Sequence, residues 1–212
     1  MGAPLRIPTA KLLRSAKSKI ARTAAIVIDT QFVAPDDVHV EVGGQRIAAT
    51  VEVGAPFGPG VSFSRYLIVR PPNGTWPASA TVQVRVDGPT PPFLESVRTC
   101  DAVASAPPRI PRFKPPTLER GPVYSGEVYE RTLLRIHHGE FDDTAGPIIS
   151  VRLQLLDRKS GDVIEASGYV STASKGSLVI ESDTLRCIAG GEIVDLAGNR
   201  AVIPKSDGCG SR

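Results

Sequence analysis

With 212 residues, 41% of them apolar and 22% charged, the chain has the composition of a globular protein, and its length suits one large domain or two modules of about 80 to 100 residues. Six of the 25 basic residues precede Thr23 with no acid among them, leaving 19 against 22 acidic residues in the remainder, so no basic folded face for nucleic acid is expected. Three cysteines, Cys100, Cys187 and Cys209, fit no zinc ribbon, redox CxxC or disulfide-dense scaffold, and they permit either redox compartment.

Residues 8–22 carry Leu12, Leu13, Ala16 and Ile20 at roughly helical spacing among Lys and Arg. The stretch reads as a flexible basic leader, 1–22, with an amphipathic membrane-surface helix or targeting segment as the alternative. No signal peptide is visible, and the apolar run 24–28 stops at Asp29, short of a secretory core or a membrane span. An exported protein would therefore reach us here as a fragment or without its signal.

From Ala25 the pattern is β. Residues 25–28 form a buried-strand run, then Val38, Val40 and Val42 alternate with His39 and Glu41. Gly43-Gly44 marks a tight hairpin, after which Ile47, Ala49, Val51 and Val53 resume the alternation. Tyr66 to Val69, closed by Pro71-Pro72-Asn73-Gly74, and the alternating Thr81 to Val86 complete a small sandwich, 23–88. Eight prolines in residues 89–116 predict an extended, semi-rigid connector, with an edge strand around 93–98. Arg112-Phe113-Lys114, between prolines, suits spacing better than a polyproline-binding motif. The second module, 117–205, has its clearest strand where Ile149, Val151, Leu153 and Leu155 alternate with polar residues, and the tail is 206–212. No helical pattern persists for three turns after residue 22.

A hydrolase needs a nucleophile, a base and an orienting acid. His39 is expected outward and solvated, and adjacent His137 and His138 face opposite sides of a strand, so no catalytic site and no cofactor are expected. Residues 137–143 hold the densest polar cluster, an exposed acidic loop whose Glu140, Asp142 and Asp143 are the calcium candidates. Asn73-Gly74-Thr75 matches a glycosylation acceptor but reads as a turn. Trp76 beside it is either a core cap or an exposed platform for a sugar ligand.

Glu192-Ile193-Val194-Asp195-Leu196-Ala197-Gly198-Asn199-Arg200-Ala201 reads as strand, turn, strand. Asp195 and Asn199 can hydrogen-bond nearby amides, while Gly198 and Asn199 tolerate left-handed backbone. The segment resembles the closing hairpin of bacterial immunoglobulin-like domains. That resemblance covers residues 118–204, extends loosely to 66–86, and implies an exported or surface-attached protein whose modules act as spacers or adhesive units. The first module lacks the Asp-Leu-Ala-Gly-Asn turn.

Extending the register outward from that turn, with Asp195 opposite Arg200, brings Cys187 across from Gly208 or Cys209. A Cys187–Cys209 disulfide is therefore expected, with Cys100–Cys187 as the rival and three reduced thiols as the cytoplasmic alternative. Together these readings predict an all-β protein of two immunoglobulin-like β-sandwich modules joined by a Pro-rich connector. The expected function is a non-catalytic structural or adhesive module of a bacterial surface or secreted protein. A carbohydrate- or peptide-binding sandwich is the alternative, and an enzyme comes third. Expected partners are other domains of a larger surface assembly or a surface ligand, not nucleic acid, in an extracellular, cell-surface or periplasmic location.

Overall fold

The computed structural model describes residues 7–14, 18–58, 64–89, 91–124, 128–141, 146–173, 175–206 and 209. The protein is all-β, with sixteen strands and two single-turn 3-10 helices, Pro35–Asp37 and Pro72–Gly74, among the described residues. No helix among them is long and apolar enough to cross a membrane. The chain divides into two compact units. The first holds the described residues of Met1–Ala55, Phe63–Ser105 and Ala145–Pro147, and the second those of Pro56–Ser62, Ala106–Thr144 and Ile148–Arg212.

The first unit contains β1 (Thr9–Leu13), β2 (Lys19–Ile20), β3 (Ile26–Gln31), β4 (Val38–Val42), β5 (Gln45–Ile47), β6 (Thr50–Gly54), β7 (Ser64–Arg70), β8 (Thr81–Val86) and β9 (Phe93–Thr99). One sheet runs β1-β3-β7-β6 and the other β2-β9-β8-β4-β5. Period-two side chains from both sheets meet in one core: Ile28, Leu67 and Val69 from the first, Val40, Val84 and Val97 from the second. Gly43 and Gly44, with φ of 59° and 78°, make the primed turn that joins β4 to β5. The alternation beyond that turn does not stay in one sheet. β5 pairs with β4, whereas β6 pairs with β7 across the sandwich.

Two sequence boundaries move outward. The basic stretch is not a free leader, because 9–13 pairs with β3 and 19–20 with β9. Leu12 lies in the core and Ile20 packs against it, while the lysine side chains at 11 and 19 keep to more solvated positions. Over 9–13 the pattern that resembled a helix is a strand's inside–outside alternation, and Ala16 lies outside the described residues. Nor is 93–99 an edge strand, since it lies between β2 and β8 with Val97 and Thr99 buried.

The second unit contains β10 (Thr117–Tyr124), β11 (Val128–His138), β12 (Ile148–Asp157), β13 (Val163–Ser171), β14 (Gly176–Glu181), β15 (Arg186–Val194) and β16 (Arg200–Ile203). Sheets β10-β11-β14 and β13-β12-β15-β16 enclose Leu134, Ile136 and Leu178 from one side and Val151, Leu153, Leu155, Ile188 and Ile193 from the other. Along β15 the pairing with β12 shifts: Gln154 faces Gly190 while Leu155 faces Ile188, so Ala189 is an extra, bulged residue.

The later part of the proline-rich stretch does not act as a spacer. Ile110 and Phe113 pack on the second core, Phe113 bridges to His138, and Lys114 N–H donates to the His137 carbonyl at 2.9 Å.

Candidate functional site

The closing turn is built by one carboxylate. Asp195 Oδ1 accepts from the amides of Ala197 and Asn199, both at 2.9 Å, and Oδ2 accepts from Asn199 Nδ2 at 2.9 Å. Gly198 takes φ +88°, and Leu196 is buried. The hairpin register is one step from that read from the sequence, with Val194 rather than Asp195 opposite Arg200, and β16 ends at Ile203. The ladder therefore never reaches the cysteine. Instead, Ser206 N–H donates to the Ile188 carbonyl at 2.9 Å and Cys209 N–H to the Ser206 carbonyl at 3.0 Å. That short return brings Cys209 to Cys187, and the two form a disulfide with Cα atoms 5.5 Å apart. Cys100 is free.

This arrangement builds one wall of an open groove of about 660 Å³ in the second unit. Its first wall is residues 110–116, tied to β11 by Lys114 and by Gly139 N–H donating to the Arg112 carbonyl at 3.0 Å. The second wall is 203–206, tied by Ser206 and the disulfide, and the floor is 185–188 with Arg158 alongside. The lining holds five cations, Arg112, Lys114, Arg158, Arg186 and Lys205, and no carboxylate. Arg186 is held by the Asp162 carbonyl at 3.1 Å and Ser182 Oγ at 3.3 Å. The other four side chains are exposed and form no ion pair among the described residues. By contrast, the shallow depression over β12, β15 and β16 is charge-compensated, with Arg152 at 3.5 Å and Arg200 at 3.2 Å from Glu192.

The histidines are dispersed. Arg46 Nη2 donates to His39 Nδ1 at 2.6 Å, so the ring's proton sits on Nε2 and goes to Asp87 Oδ2 at 2.9 Å. His39 is thus bonded through both nitrogens rather than simply solvated, and neither is open to accept a substrate proton. At Asp87, desolvation would raise the carboxyl, but hydrogen bonds from Arg85 and His39 outweigh it and hold the group below its ordinary range. His138 is buried beside Phe141, its Nδ1 donating to the Gly139 carbonyl at 2.7 Å. Burial lowers its basicity most, the Gly139 carbonyl partly restores it, and His137 lowers it further. His137 Nδ1 lies 2.8 Å from Ser177 Oγ on the exposed face of the cross-strand pair. Among the described residues no carboxylate hydrogen-bonds that ring.

Trp76 is no ligand platform. It is 0% exposed within the first core, and its indole N–H donates to the Ala24 carbonyl at 2.8 Å. Glu140 is exposed, and Asp142 and Asp143 lie outside the described residues. No group of three metal-ligating side chains occurs among those described. Asn73 takes φ 54° in the turn Pro72–Gly74. The groove escaped sequence reading because its parts are far apart in the chain and its prolines read as a spacer. Its only local signal was the set of cations around those prolines. Compared with known proteins, the chain matches no protein-family model, no curated protein and no solved structure.

Proposed function

We propose that this chain is a non-catalytic structural or adhesive module of a secreted or surface-attached bacterial protein, built on immunoglobulin-like sandwiches. The observation that carries the reading is the groove of the second unit, whose two walls are both tied in place and four of whose five cations, all but Arg186, form no ion pair among the described residues. A rigid open groove suits holding a ligand by shape and charge. The Cys187–Cys209 disulfide is compatible with an oxidising location, and the Asp195-to-Asn199 turn supports the family resemblance. The second reading, a ligand-binding sandwich, is favoured by the same groove in its peptide form. Its sugar form lost its aromatic platform with the burial of Trp76.

The test is retention of the full chain, coated on beads, on peptide and glycan arrays, run beside a broad screen for ester, peptide and glycoside hydrolysis. Retention without turnover is the expected result. Hydrolysis abolished by Ser177→Ala or His137→Ala would overturn the reading, and absence of retention on every surface tried, with the fold intact, would remove its adhesive form and leave the structural one.

A further inference from the structure

We infer that the groove of the second unit binds an extended acidic peptide segment carrying apolar side chains between its carboxylates. The inference rests on the adhesive reading above and names its ligand class.

Charge gives the first half of the argument. Arg112 and Lys114 stand on one wall, Lys205 on the other, and Arg158 and Arg186 border the floor. A lining of five cations without an acid holds a standing positive potential, which favours carboxylates and repels basic segments. Guanidinium groups at Arg112 and Arg158 offer paired donors that match a carboxylate's two oxygens.

The apolar surface gives the second half. Leu185 is 56% exposed at the groove, between proline-lined walls. An exposed leucine framed by cations suits a ligand that alternates charge with aliphatic side chains, and suits a uniformly polar polyanion poorly. Proline at 115, 116 and 204 removes backbone N–H donors from the walls, so the ligand is not taken up as an added strand. Side chains do the recognising. Both walls are fixed before the ligand arrives, one through Lys114 and Gly139 and the other through Ser206 and the disulfide, which lowers the ordering cost of binding.

The experiment is calorimetric titration of the full, oxidised chain with an acetylated, amidated hexapeptide alternating glutamate and leucine, at about 50 mM salt. Saturable binding is expected. It should weaken at least about tenfold in Arg112→Glu/Lys205→Glu, and equally for peptides with lysine replacing glutamate or serine replacing leucine. Lys114→Glu/Arg158→Glu serves as the second variant if the first fails to fold, and Arg152→Glu, outside the groove, should leave affinity unchanged. Reduction of the disulfide, with the sheet signal retained in circular dichroism, should weaken binding several-fold by releasing the wall that carries Lys205. The inference is overturned by absence of saturable binding, by affinity indifferent to both charge reversals, or by heparin or the serine peptide binding as tightly. Retention of another ligand class on the arrays with none of this peptide would sink the inference and leave the adhesive reading standing. Turnover lost in Ser177→Ala would sink that reading alone.

Discussion

Gly168 lies so close under Phe57 that a Cβ added to it would sit 2.5 Å from the Phe57 Cα and 2.8 Å from its nitrogen. The approach is fixed by Phe57 N–H donating to the Tyr169 carbonyl at 2.9 Å and by the parallel bridge of Pro56 to Tyr169. A short segment that follows β6 in sequence thus covers the otherwise open edge of β13. Backbone atoms cannot give way as a flexible side chain would, so Gly168→Ala should destabilise the second unit by roughly 2 kcal/mol or more. Urea unfolding measures it, and an unchanged midpoint would show that the segment leaves the edge freely.

Asp195 serves three donors in the closing turn while 6% exposed. Asp195→Ala strands two backbone amides at the base of the β15–β16 hairpin, at a cost of roughly 2 to 4 kcal/mol. Asp195→Asn keeps the Oδ1 acceptor and should lose less. Hydrogen exchange at Ala201 and Ile203, whose amides face β15, reports the loss locally, and equal protection in both variants would contradict this account.

Acid should weaken the fold through His138. Its basicity is lowered chiefly by burial, so the native state binds fewer protons there than the unfolded chain, whose histidines titrate near about 6.5. The stability associated with the neutral ring is whole above that pH and declines as pH falls below it toward the lower native value. Nδ1 already donates to Gly139, so an added proton goes to Nε2, which lies against Gly176. His138→Leu should flatten the stability profile below about pH 6.5 relative to the parent. A parallel slope in both proteins would exclude the buried ring as the cause.

Trp76 is the single tryptophan, so fluorescence reads the first unit alone. Its emission should be blue-shifted in the native state, resist acrylamide and ignore every sugar titrated. Trp76→Phe leaves the Ala24 carbonyl without its indole donor and a partial cavity behind, costing roughly 2 kcal/mol. A native emission maximum like that of free tryptophan would contradict the burial.

Strands buried on one face were the legible part. Val82, Val84 and Val86, and Val151, Leu153 and Leu155, each show their burial in a period of two, and the glycines at 43 and 44 announce their turn. The short strands were not legible. At 9–13 and 19–20 the tertiary partner, not local propensity, decides the conformation, and the lysines disguise the single inward Leu12. The Cys187–Cys209 pair is the one expected, but its register is one step off and the paired strand ends at Ile203. The approach is completed by Ser206 N–H on the Ile188 carbonyl and Cys209 N–H on the Ser206 carbonyl, bonds that a register carried outward from the turn does not contain. The groove required contacts between segments about 70 to 90 residues apart, which no periodicity encodes.

The disulfide that steadies the groove also closes a covalent ring around the β15–β16 hairpin, spanning a sequence separation of 22 residues. Under tension between the chain ends, load passes through the two sulfurs and bypasses everything inside that ring. The hairpin is then mechanically silent: its strands contribute nothing to the length gained on forced unfolding, and reduction would release about 70 to 80 Å of hidden chain. A protein built this way stretches in two regimes set by its redox surroundings, shorter and stiffer when oxidised, longer and more yielding when reduced.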